Sequence, residues 1–123
     1  MNILISIKPK YAAQIYNGSK LYEIRKRIPK HLSLWDNIFF YESGTGLITG
    51  SAKVASIISG TPARLYSQYQ SLLGIEYDAY KKYVGNAINV YYIGLDDAKR
   101  FGFPLTLQDF HLKRAPQSFC YLR

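Results

Sequence analysis

Between Gly18 and Pro29 the chain reads Ser19-Lys20-Leu21-Tyr22-Glu23-Ile24-Arg25-Lys26-Arg27-Ile28. In an extended conformation side chains alternate between two faces. Tyr22, Ile24 and Ile28 then share one face, while Leu21, Glu23, Arg25 and Arg27 share the other. A strand divided in this way must rest one side on a core and turn the other toward a polar surface. One acid held among Lys20, Arg25 and Arg27 reads as a wall of a groove that carries positive potential. The same pattern also serves an edge strand kept soluble by charge.

The flanking segments give this strand a setting. Ile3, Ile5 and Ile7 alternate with Leu4, Ser6 and Lys8, the pattern of a first strand. Lys8 falls opposite the isoleucines and is a candidate for the same groove. Pro9 suits a first helical turn, Tyr11, Ala12, Ile15 and Tyr16 recur at helical spacing, and Gly18 suits the C-cap. Asp36 to Ser43 is apolar on both faces, as in a central strand that includes Tyr41. Gly44-Thr45-Gly46 is a turn. Leu47 to Ser59 is a long extended segment whose Gly50, Ser51, Ala52 and Ala55 predict a bulge and a close approach.

Thr61-Pro62 opens a helix whose apolar face is Leu65, Tyr69, Leu72 and Leu73, and a second short helix runs from Glu76 to Tyr83. Ala87 to Gly94 alternates as a strand, Asp96 to Phe101 reads as a surface turn, and Pro104–Leu107 and Gln117–Leu122 are the last extended pieces. About six extended segments and two or three short helices predict an α+β domain with a curved, barrel-like sheet. A chain of 123 residues without internal repeat or linker predicts one domain over residues 1–123.

Sixteen Lys and Arg against eight Asp and Glu leave a formal charge of +8, which favours polyanionic partners. The absence of a basic amphipathic helix, a long apolar run or a leader segment predicts a cytoplasmic protein that does not engage membranes. Twelve tyrosines are interleaved with basic residues, as in Tyr80-Lys81-Lys82-Tyr83. Rings can stack on bases while ammonium groups hold phosphates. Most of these tyrosines are expected in the packing, with two or three against a ligand; Tyr41 and Tyr83 are the candidates. The lone Cys120 excludes an internal disulfide, and His31 and His111 lie in no metal-ligand pattern, so no metal and no cofactor is expected.

In this order, Ile5-Ser6-Ile7-Lys8-Pro9, then Gly18-Ser19-Lys20-Leu21-Tyr22-Glu23-Ile24-Arg25, the chain resembles the ASCH domain family of the PUA-like superfamily. The stretch Gly74-Ile75-Glu76 to Tyr83-Val84-Gly85, followed by a tyrosine-rich strand, is similar to the family's middle region. The likeness extends from Ile3 to Leu107. It implies a small β-barrel with a cleft lined by the Gly-x-Lys-x-x-Glu-x-Arg motif, and RNA, a nucleotide or a nucleoside as ligand. One branch of the family removes an acyl group from the exocyclic amine of modified cytidine, using a lysine, a threonine three positions later and a distant glutamate; a few members cleave RNA. Lys20 matches that lysine. Glu23 stands where the threonine would be, and Glu76, or less well Glu42, is the nearest match for the glutamate.

The expected ligand-binding residues are therefore Lys8, Lys20, Glu23, Arg25, Arg27, Tyr41 and Tyr83, with Lys20 and Glu23 catalytic if there is turnover. A reactive lysine needs its pKa lowered by burial or by neighbouring cations. Lys8, Arg25 and Arg27 push that way, and Glu23 pushes back. Binding alone needs no unusual pKa, because Arg25 suits bidentate contacts and a carboxylate can accept from a base amino group.

Overall fold

The computed structural model describes residues 1–122. Its strands are β1 (Asn2–Ile7), β2 (Tyr22–Arg25), β3 (Asn37–Glu42), β4 (Leu47–Gly60), β5 (Val90–Thr106) and β6 (Phe119–Leu122). Three helices join them: α1 (Pro9–Asn17), α2 (Pro62–Tyr69) and α3 (Tyr77–Val84). The strands form one six-stranded sheet in the order β2-β5-β4-β3-β1-β6. Strands β1 and β3 run parallel, and every other pairing is antiparallel.

Local chemistry accounts for the first elements. Pro9 sits in the first turn of α1, where its missing N–H costs nothing, and Gly18 ends the helix at φ 86°. That left-handed conformation favours glycine and turns the chain into β2. Ile3, Ile5 and Ile7 of β1 pack with Ala12 and Ile15 of α1 and with Ile38, Phe40 and Val54 in the larger core. Phe39, on the other face of β3, meets Phe101 and Phe110, so the expected two-sided burial has a partner for each face. A second core gathers Ile24, Leu65, Leu73, Tyr80, Val84 and Tyr92 beneath α2 and α3.

The bulge expected in β4 occurs: its register against β5 shifts between Val54 and Ser56, the step that contains Ala55. At Gly50 an added Cβ would run into the Lys99 carbonyl and the Tyr16 ring, so only glycine allows that approach.

Three expectations need correction. Asp96 to Phe101 is not a turn, because β5 runs on to Thr106 and pairs with β4 along that length. Asp97 takes the left-handed conformation at φ 52°, and the surplus residues are absorbed as register shifts rather than as a reversal. This far part of β5 overhangs the core and is largely exposed, which is why its composition resembles a loop. Its near end starts at Val90 rather than Ala87, leaving Ile88 82% exposed. Finally, the sheet is curved but not a closed barrel: β2 and β6 end it and do not pair with each other among the described residues. Each is only four residues long, so the gap is bridged by a side chain instead.

Candidate functional site

That bridge stands beside a cleft of about 460 Å³, between the C-terminal end of β1, the start of α1, β2 and α3. Three charged residues of the segment after Gly18 reach it: Lys20, Glu23 and Arg25, all buried. The turn after α1 is tied down where the Lys20 N–H donates to the Gln14 carbonyl. Lys20 Nζ donates to the Leu73 carbonyl at 2.6 Å and lies 3.7 Å from Glu23 Oε1. Gly74 makes room for this, since a Cβ there would come within 3.0 Å of the Lys20 Cβ.

Glu23 Oε2 accepts from Arg25 Nε at 2.8 Å, and Arg25 Nη2 lies 2.6 Å from the same oxygen, a close buried ion pair. Arg25 Nη2 also donates to the Ser6 carbonyl at 2.8 Å, and Nη1 to the Ser118 hydroxyl at 3.1 Å. One carboxylate thus stands between two buried cations. Burial holds the Lys20 ammonium below its usual pKa; Glu23 opposes that shift and Arg25 adds to it. Lys20, only 3% exposed, also lies 5.4 Å from the centre of the Tyr11 ring.

The remaining sequence candidates divide. Lys8 lines the cleft from the N-cap of α1, and Tyr83 lines it from α3 with Lys26 placed 5.2 Å above its ring. Arg27 does not line it. Strand β2 stops at Arg25, so the alternation that would carry Arg27 to the same face is broken. Tyr41 does not line it either: it sits on the face of β3 opposite buried Ile38 and Phe40. Neither Glu42 nor Glu76 reaches the cleft; Glu42 is buried at the end of β3, and Glu76 stands exposed just before the first turn of α3. Lys82, Tyr11, Ser43, Ile75 and Gln117 were missed. Lys82 had a signal in the Tyr-Lys-Lys-Tyr run, whereas Gln117 had none, because only the curl of the sheet brings it there.

Among the described residues no group of His, Cys, Asp and Glu is placed to hold a metal ion. No helix among them is long and apolar enough to cross a membrane. Chemically, the cleft offers four cations (Lys8, Lys20, Arg25 and Lys82) and one acid, with Ile7, Ile24 and Ile75 as apolar wall.

The profile of the ASCH domain matches residues 5–98. No curated protein matches the chain in sequence. The crystal structure of ASCH from Zymomonas mobilis is similar with a TM-score of 0.91 at 26% identity, over 99% of this chain and 87% of that one. A point mutant of the same Zymomonas mobilis protein gives 0.91 at 25% identity, over 99% of this chain and 90% of that one. A hypothetical protein, PH0355, shares the fold alone, with a TM-score of 0.59 at 19% identity over 85% of this chain and 100% of that one.

Proposed function

The chain belongs to the ASCH domain family, and from that premise we propose that it binds RNA by drawing one unpaired base into the cleft between β2 and α3. The supporting observation is Glu23, fixed by Arg25 on one oxygen and facing Lys20 with the other. A carboxylate held in this way can accept from the exocyclic amino group of a base such as cytosine. Tyr11 and Tyr83 offer ring faces for stacking, and exposed Lys8 and Lys82 at the rim take the phosphates. A cleft of about 460 Å³ suits one nucleoside and not a duplex. Single-stranded loops and ends, whose bases can be splayed out, are the usual targets of such sites.

Calorimetric titration with short single-stranded RNA at rising salt tests this reading. Binding should be clear at about 50 mM salt and weaken steeply as salt rises. Glu23→Gln should weaken it by about ten-fold, the size of one lost bidentate or charged base contact. An absence of binding at low salt, or indifference to Glu23→Gln, sinks the proposal.

One observation favours a second reading, hydrolysis of an acylated base or of RNA itself. Lys20 has its pKa lowered by burial inside a cleft, as lysines that move protons do. In that reading Lys20 transfers the proton and Glu23 orients it.

A further inference from the structure

Helix α3 separates two concavities. Ala79, Lys82 and Tyr83 face the cleft, while Tyr77, Tyr80, Lys81 and Val84 face a groove of about 470 Å³ against α2. We propose that this groove is a second nucleotide subsite, so that a single strand seated in the cleft crosses α3 and stacks a further base on Tyr77. The inference rests on the RNA-binding reading above and extends it to the path of the strand.

The floor of the groove is aromatic and braced. Tyr66 lies 4.7 Å from Tyr80 and 5.0 Å from Tyr77, ring centre to ring centre. Tyr80 is itself fixed, donating to the Pro62 carbonyl at 2.7 Å and accepting from Tyr92 at 2.8 Å. Tyr77 is different: it is 50% exposed and offers a large ring to solvent on a rigid support. An aromatic face so placed stacks with any base and needs no sequence-specific contact.

Charge supplies the rest of the case. Lys81 stands 5.6 Å from the centre of the Tyr77 ring, and its neighbour Lys82 lines the cleft. Successive helix residues diverge around the axis, so the two ammonium groups straddle the crest of α3. No carboxylate lines the groove among the described residues. A helix with its side chains is about 10–12 Å across, a gap that a short run of nucleotides spans. A phosphate crossing the crest meets Lys82 on one side and Lys81 on the other, so a polyanionic strand matches this ridge.

The test compares cytidine monophosphate with a single-stranded cytidylate hexanucleotide, titrated into the native chain, Tyr77→Ala, Tyr77→Phe and Lys81→Gln. The hexanucleotide should bind the native chain more tightly than the mononucleotide. Tyr77→Ala should weaken the hexanucleotide by about ten-fold and leave the mononucleotide unchanged, while Tyr77→Phe, which keeps the ring, restores affinity. Lys81→Gln should reduce the salt slope for the hexanucleotide by about one. Tyr77→Ala affecting neither ligand, or both equally, overturns the subsite. A mononucleotide that binds with no gain on lengthening overturns the subsite alone, whereas binding of neither ligand by the native chain overturns both readings.

Discussion

Arg25 Nη2 donates to the Ser6 carbonyl at 2.8 Å, which ties β2, one edge of the sheet, to β1, the strand beside the other edge. The same guanidinium neutralises Glu23. The bridge across the open side of the sheet and the charge balance in the cleft therefore share one side chain.

Arg25→Ala should accordingly cost more than an ordinary truncation. It leaves Glu23 buried with only Lys20 nearby and frees the Ser6 carbonyl. Removing one partner of a buried ion pair costs about 3–5 kcal/mol. Urea unfolding provides the check, and a loss below about 1 kcal/mol, the size of an exposed pair, would show that the clasp is dispensable.

Lys20→Arg separates the two readings of the cleft. Arginine keeps the charge but does not release a proton at working pH. In a binder, RNA affinity should change by less than about ten-fold, the equivalent of 1.4 kcal/mol, once circular dichroism confirms folding. In a hydrolase, turnover of acylated cytidine or RNA should disappear while binding remains. Robust hydrolysis by the native chain that vanishes in Lys20→Arg would displace the binding proposal.

The pH dependence of stability carries a sign. Burial depresses the Lys20 pKa, so the folded chain releases this proton before the unfolded chain does. Between the depressed value and about 10.4, the unfolded chain holds more protons, so the contribution of Lys20 to stability rises with pH. The stability advantage of the native chain over Lys20→Met should therefore grow from neutral pH toward about pH 10. Urea midpoints compared across that range decide it, and an advantage that shrinks contradicts the direction of the shift.

The phenol relay in the second core predicts an asymmetry. Tyr92 donates to Tyr80, which donates to the Pro62 carbonyl, and burial raises the pKa of both phenols so that they stay protonated. Tyr80→Phe strands a donor and an acceptor, which should cost about 1–3 kcal/mol. Tyr92→Phe leaves the Tyr80 bond intact and should cost about 1 kcal/mol or less. Equal losses in the two variants would rule out the relay.

What could be read from sequence was what is local. Ile3, Ile5 and Ile7, the Pro9 start and the Gly18 cap each depend on neighbours a few positions away, and each is placed as expected. Glu23 and Arg25 share a face through simple alternation, and both reach the cleft. Arg27 and Tyr41 lie outside the cleft because a strand's end and a sheet's curl are tertiary facts. The hydrogen bond from Arg25 to Ser118 joins residues 93 positions apart, and no periodicity announces it. Asp96 to Phe101 misled for a related reason: a strand that overhangs the core loses its apolar pattern and keeps its ladder.

The pairing of β1 with β6 also sets a schedule for synthesis. Asn2 to Ile5 pair with Phe119 to Leu122, and the Ser6 hydroxyl donates to the Pro116 carbonyl 110 positions on, so β1 waits until β6 has been made. At 5–20 residues per second that wait is on the order of ten seconds, with the outer edge of β1 open to a neighbouring nascent chain. A chain stopped before Phe119 should stay in that exposed condition and self-associate, which size-exclusion chromatography would reveal. A monodisperse truncated chain would mean that the outer edge of β1 needs no such protection.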